Sequence, residues 1–343
     1  MERNELSLKY INMRTGGITH HPCNDGVYLK SIIKAKGDTR VFFPTTTCMQ
    51  IFDGMEYYSE MKLNIYKASH PDFNRQRENT RKLFRALGVD EIYSTRLIYF
   101  TDEVAVVDND GIYLPSTGAS VYAENYDIFN EPMQFMADAI ITDRHNVGLV
   151  MYSADCPTAF LRDQKSGAIG VLHSSWHGFN VEEEDGEKSS IFQRTIEAME
   201  FNYETKPEDL EVTIFPCIGL NQFEVGEEVV EQFRDIGLGE FVHRNETYAA
   251  FIDLAGCAIA MFERFGVKSD NIEITPFTTA DYGLNSYRMS PTNYWGENIG
   301  TTGTVTYDYI GCDEWHPELL SDESKGHCKI RANGANLLIA IRD

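Results

Sequence analysis

Apolar residues recur along this chain with two periods. Helical spacing runs through Asn74–Leu87, where Leu83, Phe84 and Leu87 share a face. It returns in Ser190–Phe201, where Ile191, Thr195, Ile196 and Met199 follow a capping Ser189 or Ser190. Gly226–Phe233 and Leu254–Phe265 complete the predicted helices, and Gly266 stands where a left-handed residue would end the last one. Short apolar runs bounded by turn residues predict strands at Leu97–Tyr99, Val104–Val107, Leu149–Ser153, Ala159–Leu161, Ala168–Leu172, Val212–Phe215, Ile272–Thr275 and Leu337–Ile341. Strands and helices interleave, but several strand pairs are too close in sequence for a crossover helix. This predicts an α+β fold of mixed β-sheets layered with helices rather than a regular doubly wound sheet. Residues 1–40 carry their own apolar patch around Tyr28–Ile33 and read as an N-terminal extension or small subdomain, with the main domain over 41–343.

Composition narrows the partners. Of 343 residues, 30 are Lys or Arg and 53 are Asp or Glu, a formal charge of −23. Such a surface repels phosphate backbones and anionic membranes, so neither nucleic acid nor a membrane is expected as partner. A hydrophobic share of 42% supports a sizeable core, and no stretch approaches the ~18 apolar residues of a transmembrane helix. The N-terminal segment lacks the apolar run of a signal peptide, and seven scattered cysteines do not read as a disulfide framework; the expected compartment is the cytoplasm. What remains is a small-molecule protein, with room for a protein partner.

The most informative stretch is Val150–Gly178. Two apolar runs flank Asp163-Gln164-Lys165-Ser166-Gly167, which has turn chemistry, and a fold-back around Lys165 sets Cys156 nearly opposite His173. Pro157 cannot donate to a ladder and marks a bulge or strand end beside Cys156. A thiol beside an imidazole is a nucleophile pair, or two ligands of zinc or copper, or a buried cysteine near a satisfied core histidine. Asp155 either orients the histidine or caps the turn. His177 shares a face with His173 only if 174–178 is helical, and would then offer a third nitrogen; His70 and His145 are further candidates with no spacing argument.

Several ordered segments resemble the YfiH/laccase-domain family, also known as polyphenol oxidase or purine nucleoside phosphorylase. Met136-Ala137-Asp138-Ala139-Ile140-Ile141-Thr142 is similar to its A-D-A-hydrophobic-hydrophobic-T segment, and Ser153-Ala154-Asp155-Cys156-Pro157 to its T-A-D-C-x-P signature. Gly170–Gly178 resembles the strand that carries H-A-G-W-R-G, and Ile214–Gly219 with Phe223–Val229 resembles I-G-P-x-I-G with Y-E-V-G-x-E-V. Ser286-Tyr287-Arg288 resembles S-Y-R-R, and Leu63-Asn64 and Asn79 fit the N-terminal L-N and N-R-x-x-L patterns. The resemblance covers most of residues 45–343. It implies a YfiH-like fold and one metal, usually zinc, with copper in the older reading, held by a cysteine and two histidines. It implies phosphorolysis of purine nucleosides and deamination of adenosine, so that purine nucleosides and phosphate are the expected partners. Cys156 and His173 would be metal ligands, and Arg288 would position phosphate by a bidentate contact.

The sequence also departs from the family pattern. Tyr99 stands where the family's first histidine ligand belongs, and a phenol with a pKa near 10 is a poor ligand for zinc at neutral pH. His177 replaces the arginine of G-W-R-G, Met289 the second arginine of S-Y-R-R, and Thr278-Thr279 the usual C-T pair. These losses open a second reading, a catalytically silent homologue that acts as a binding or scaffold protein. An insertion near 293–329 contains Cys312, His316, His327 and Cys328; the adjacent pair lacks structural-zinc spacing, so a surface loop is expected.

Overall fold

A computed structural model of the chain describes residues 18–22, 27–44, 47–52, 55–60, 80–81, 83–89, 91–95, 101–128, 136–153, 155–182, 186, 188–220, 223–245, 250–275, 278–279 and 336–343. The strands in chain order are β1 (Ile18–Pro22), β2 (Val27–Lys36), β3 (Thr39–Pro44), β4 (Thr47–Phe52), β5 (Met55–Glu60) and β6 (Glu91–Ser94). Then come β7 (Val104–Val107), β8 (Gly111–Leu114), β9 (Ala119–Tyr122), β10 (Ala139–Thr142), β11 (Val147–Ser153), β12 (Thr158–Asp163) and β13 (Ile169–His173). After these, β14 (Leu210–Ile214), β15 (Ile272–Ile274) and β16 (Asn336–Arg342) complete two large sheets. One sheet has the order β5-β4-β2-β3-β16-β11-β6 with β1 on β2; the other runs β15-β14-β12-β13-β10-β7-β8-β9. Both are mixed: β10 pairs parallel with β7 and antiparallel with β13, and β11 pairs parallel with β6 and antiparallel with β16. The predicted α+β class with mixed sheets is what the chain adopts.

The sheets pack face to face. Val41, Phe43, Leu149, Met151 and Leu338 from the first meet Ala105, Ile140, Phe160, Val171 and Phe215 from the second. The outer face of the second sheet is covered by helices α1 (Ile191–Tyr203), α2 (Glu227–Asp235) and α3 (Leu254–Arg264). The outer face of the first packs Phe42, Val150 and Ile339 on Leu83, Phe84 and Leu87, which lie in a helical stretch. Covering both faces explains why β10 and β13 are buried at every position and read as continuous apolar runs instead of alternating ones.

The helix starts follow their caps. The Ser190 hydroxyl accepts from the Gln193 N–H at the head of α1, and an Asp253 carboxylate oxygen from the Gly256 N–H at the head of α3. The α1 stripe of Ile191, Phe192, Ile196 and Met199 is fully withdrawn from water, each side chain contributing about 2 kcal/mol by burial. Gly170 makes this approach possible, since a Cβ there would come within 3.1 Å of Ile141 and 3.6 Å of the Met199 sulfur. β2 and β3 form a hairpin whose second strand pairs with β16, so residues 27–40 enter the same sheet as the C-terminal strand. The expected strand at Leu97–Tyr99 and the insertion near 293–329 lie outside the described residues.

Candidate active site

The β12–β13 hairpin is closed by Asp163–Gly167, as the turn residues predict, but its register differs from the expectation. His173 stands opposite Thr158, two residues past Cys156. The turn residues locate the fold-back only to within a residue or two. The register itself is set by the Asp163 N–H to Ala168 carbonyl bond and by Gly167 in the left-handed region at φ +73°. Cys156 nevertheless reaches the imidazole, because the chain bends between β11 and β12. Asp155 is left-handed at φ +84°, Pro157 offers no donor, and the Ser153 hydroxyl donates to the Cys156 carbonyl at 2.7 Å. The Cys156 side chain, partly exposed, lies beside fully buried His173 and interacts electrostatically with its imidazole.

On its other side, His173 Nδ1 lies 3.3 Å from Asp138 Oδ1, with both residues fully buried. A carboxylate can only accept, so Nδ1 carries the proton. Antiparallel pairing of β10 with β13 matches Ala139 to Leu172, which brings the preceding Asp138 beside His173. Backbone bonds hold it there: His173 N–H donates to the Asp138 carbonyl at 2.7 Å, and Asp138 N–H to the Glu103 carbonyl at 3.2 Å. Burial alone would push the imidazole down, but its interactions with Asp138 and Cys156 outweigh it and raise its pKa to about 10.

Asp155, offered above as the residue orienting His173 or capping the turn, bonds elsewhere. Its Oδ1 accepts from the Thr279 hydroxyl at 2.8 Å and its carbonyl from Ile218 N–H at 2.8 Å, clipping the Cys156 loop to the segments after β15 and β14. Asp138 is the acid on the imidazole. A local sequence pattern holds no sign that β10 and β13 are neighbours, so the role of Asp138 emerges only from their pairing.

His177 is not set up as the helical reading required. His173 ends β13, and His177 lies in a 3-10 turn, Trp176–Phe179, with its ring 3.4 Å from that of Trp176. Among the described residues, no group of three or more His, Cys, Asp or Glu is gathered in metal-binding geometry. His145 is at the far end of β11, with Nδ1 2.6 Å from the Asp343 carbonyl, about 20 Å of strand away from Cys156. Tyr99, Arg288, Met289 and His70 lie outside the described residues. Cys217 and Cys257 are buried free thiols, as expected of small hydrophobes, and burial with nearby Asp253 pushes both thiols up.

A family model described as multi-copper polyphenol oxidoreductase laccase matches residues 53–304. The chain belongs to this family. A purine nucleoside phosphorylase of Deinococcus radiodurans is 37% identical over 151 residues, covering 44% of this chain and 55% of the relative. A protein named adenosine deaminase RL5, from an unknown prokaryotic organism, is 30% identical over 164 residues, covering 44% and 59%. The chain thus spans a little over half the length of these curated relatives. Among solved structures, Bacillus licheniformis hypothetical protein YfiH is similar with a TM-score of 0.61 at 14% identity, over 94% of this chain and 97% of the other. YlmD from Geobacillus stearothermophilus gives 0.61 and 14% over 95% and 99%. These two share the laccase-family fold with the chain. No described helix is long and apolar enough to cross a membrane.

Proposed function

We propose that this laccase-family chain is a metal-supported enzyme of purine nucleosides, catalysing their phosphorolysis and the deamination of adenosine. The observation that carries the reading is Cys156 against His173 at one end of the sheet sandwich, with Asp138 on the far imidazole nitrogen. The names of the relatives, purine nucleoside phosphorylase and adenosine deaminase, supply the substrate class.

The donor set fits a borderline metal such as zinc. Thiolate and imidazole are both its ligands, and a carboxylate behind the imidazole is a common supporting partner. Cys156 and His173 would hold the metal, which when bound lowers the pKa of a water or polarises a leaving group. Ser153 and Asp155 keep the Cys156 loop in place through their hydrogen bonds, and the two sheets exclude water from His173. Arg288 would hold the anionic phosphate by a bidentate contact.

One observation favours the second reading, a silent homologue: Tyr99 stands where the family resemblance calls for a histidine ligand. Incubating the purified chain with adenosine or inosine, with and without phosphate, separates the two. Free base and ribose 1-phosphate are the expected products with phosphate; unchanged nucleosides in a metal-loaded sample would contradict the enzyme reading.

A further inference from the structure

Asp138 is an expensive residue to bury. It is fully enclosed; among the described atoms its Oδ1 meets only the His173 ring and its Oδ2 accepts no hydrogen bond. Burying a carboxylate with so few partners is unfavourable, and a buried ion pair is weak support for stability. Yet its backbone is clamped on both sides, to Glu103 and to His173, so the carboxylate has a fixed place in the sheet. The flank across the hairpin differs. Thr158, paired directly opposite His173, is 1% exposed and its hydroxyl has no partner among the described atoms.

We propose that Asp138 is a positioning residue of the metal centre. By accepting from Nδ1 it fixes the Nδ1–H tautomer of His173, sets the plane of the ring, and commits Nε2, on the Cys156 side, to the metal. The inference rests on the metal reading above and adds to it the nitrogen that binds and the group that selects it. The physical reason is general: an imidazole whose Nδ1–H is held by a carboxylate presents a more basic and pre-oriented Nε2, and loss of such a partner costs 10–100-fold in metal affinity.

The test uses the full-length protein stripped of metal by a chelator and titrated with zinc against a chromophoric competitor, alongside cobalt(II) titrations that report the thiolate–metal absorption band. Asp138→Asn should bind zinc 10–100-fold more weakly than wild type. Thr158→Val, an isosteric change on the opposite flank that removes a hydroxyl with no partner among the described atoms, should stay within about threefold. Equal affinity of Asp138→Asn and wild type, or an equal loss in Thr158→Val, would overturn the proposal. Nitrogen-15 NMR of metal-loaded wild type gives a reading independent of the variants. Nδ1–H with Nε2 on the metal supports the proposal, and the reverse tautomer overturns it. If wild type binds neither zinc nor cobalt, the metal reading falls and this inference with it; if wild type binds and Asp138→Asn binds equally, only the inference falls.

Discussion

A buried carboxylate stands near each end of the β12–β13 hairpin, and the two are treated differently. At the turn, Asp163 is 2% exposed and accepts from Lys165 N–H at 2.9 Å, Ser166 Oγ at 2.7 Å and Thr205 Oγ1 at 2.9 Å. Around it, Arg162 and Arg342 reach Asp38 in the β2–β3 turn, tying the two sheets together. At the open end, Asp138 accepts from one imidazole and leaves an oxygen over, while the thiol beside that imidazole is partly exposed. At the turn end both Asp163 oxygens are taken up by neighbouring protein donors, as in a structural network. The open end holds coordinating groups in reserve, which is how a site for a ligand differs from a clamp.

Substitutions at the two ends should therefore fail in different ways. The largest effect belongs to His173→Ala, which should weaken zinc binding more than about 100-fold, beyond the loss expected from an outer partner; equilibrium competition measures it. Asp163→Ala should cost about 3 kcal/mol in denaturant unfolding while leaving metal stoichiometry and nucleoside turnover intact. Loss of metal in that variant would erase the distinction between the ends.

Acid pH probes the same carboxylate. Burial would raise the Asp163 pKa, but the bonds from Lys165, Ser166 and Thr205 hold it below the ordinary range. Its contribution is then present above about pH 4, the unfolded value, and lost as the pH falls further through the folded value. Stability measured from pH 6 to 3 should fall more steeply in wild type than in Asp163→Asn. The smallest effect is expected from Glu91→Gln, which breaks the Glu91–Arg144 pair at 2.8 and 3.0 Å near the turn end. With Glu91 42% exposed, the pair is worth about 0.5 kcal/mol in thermal unfolding.

Much of the fold is legible in the chain because its signals are local. Ser190 and Asp253 cap helices by bonds to residues three positions away, and the Asp163–Gly167 turn has the chemistry its strands need. The apolar runs Val147–Ser153 and Ile169–His173 are strands buried on both faces. Of the candidate site, the sequence yields Cys156 near His173 but sets the register about one residue off, since turn composition does not fix which residues pair across it. It misses the role of Asp138, because the pairing of β10 with β13 joins residues 35 apart through packing rather than pattern. The His177 expectation required a helix; Ser174 and Ser175 are buried, and the chain leaves β13 through them into a short 3-10 turn instead.

The central claim, that Cys156 and His173 hold a metal, is tested most directly by elemental mass spectrometry of the purified full-length protein and of Cys156→Ser. The account predicts close to one zinc per wild-type chain and less than a tenth of that in Cys156→Ser, with both proteins equally folded by circular dichroism. Equal metal in the two proteins, or none in the wild type after growth with zinc, would contradict it.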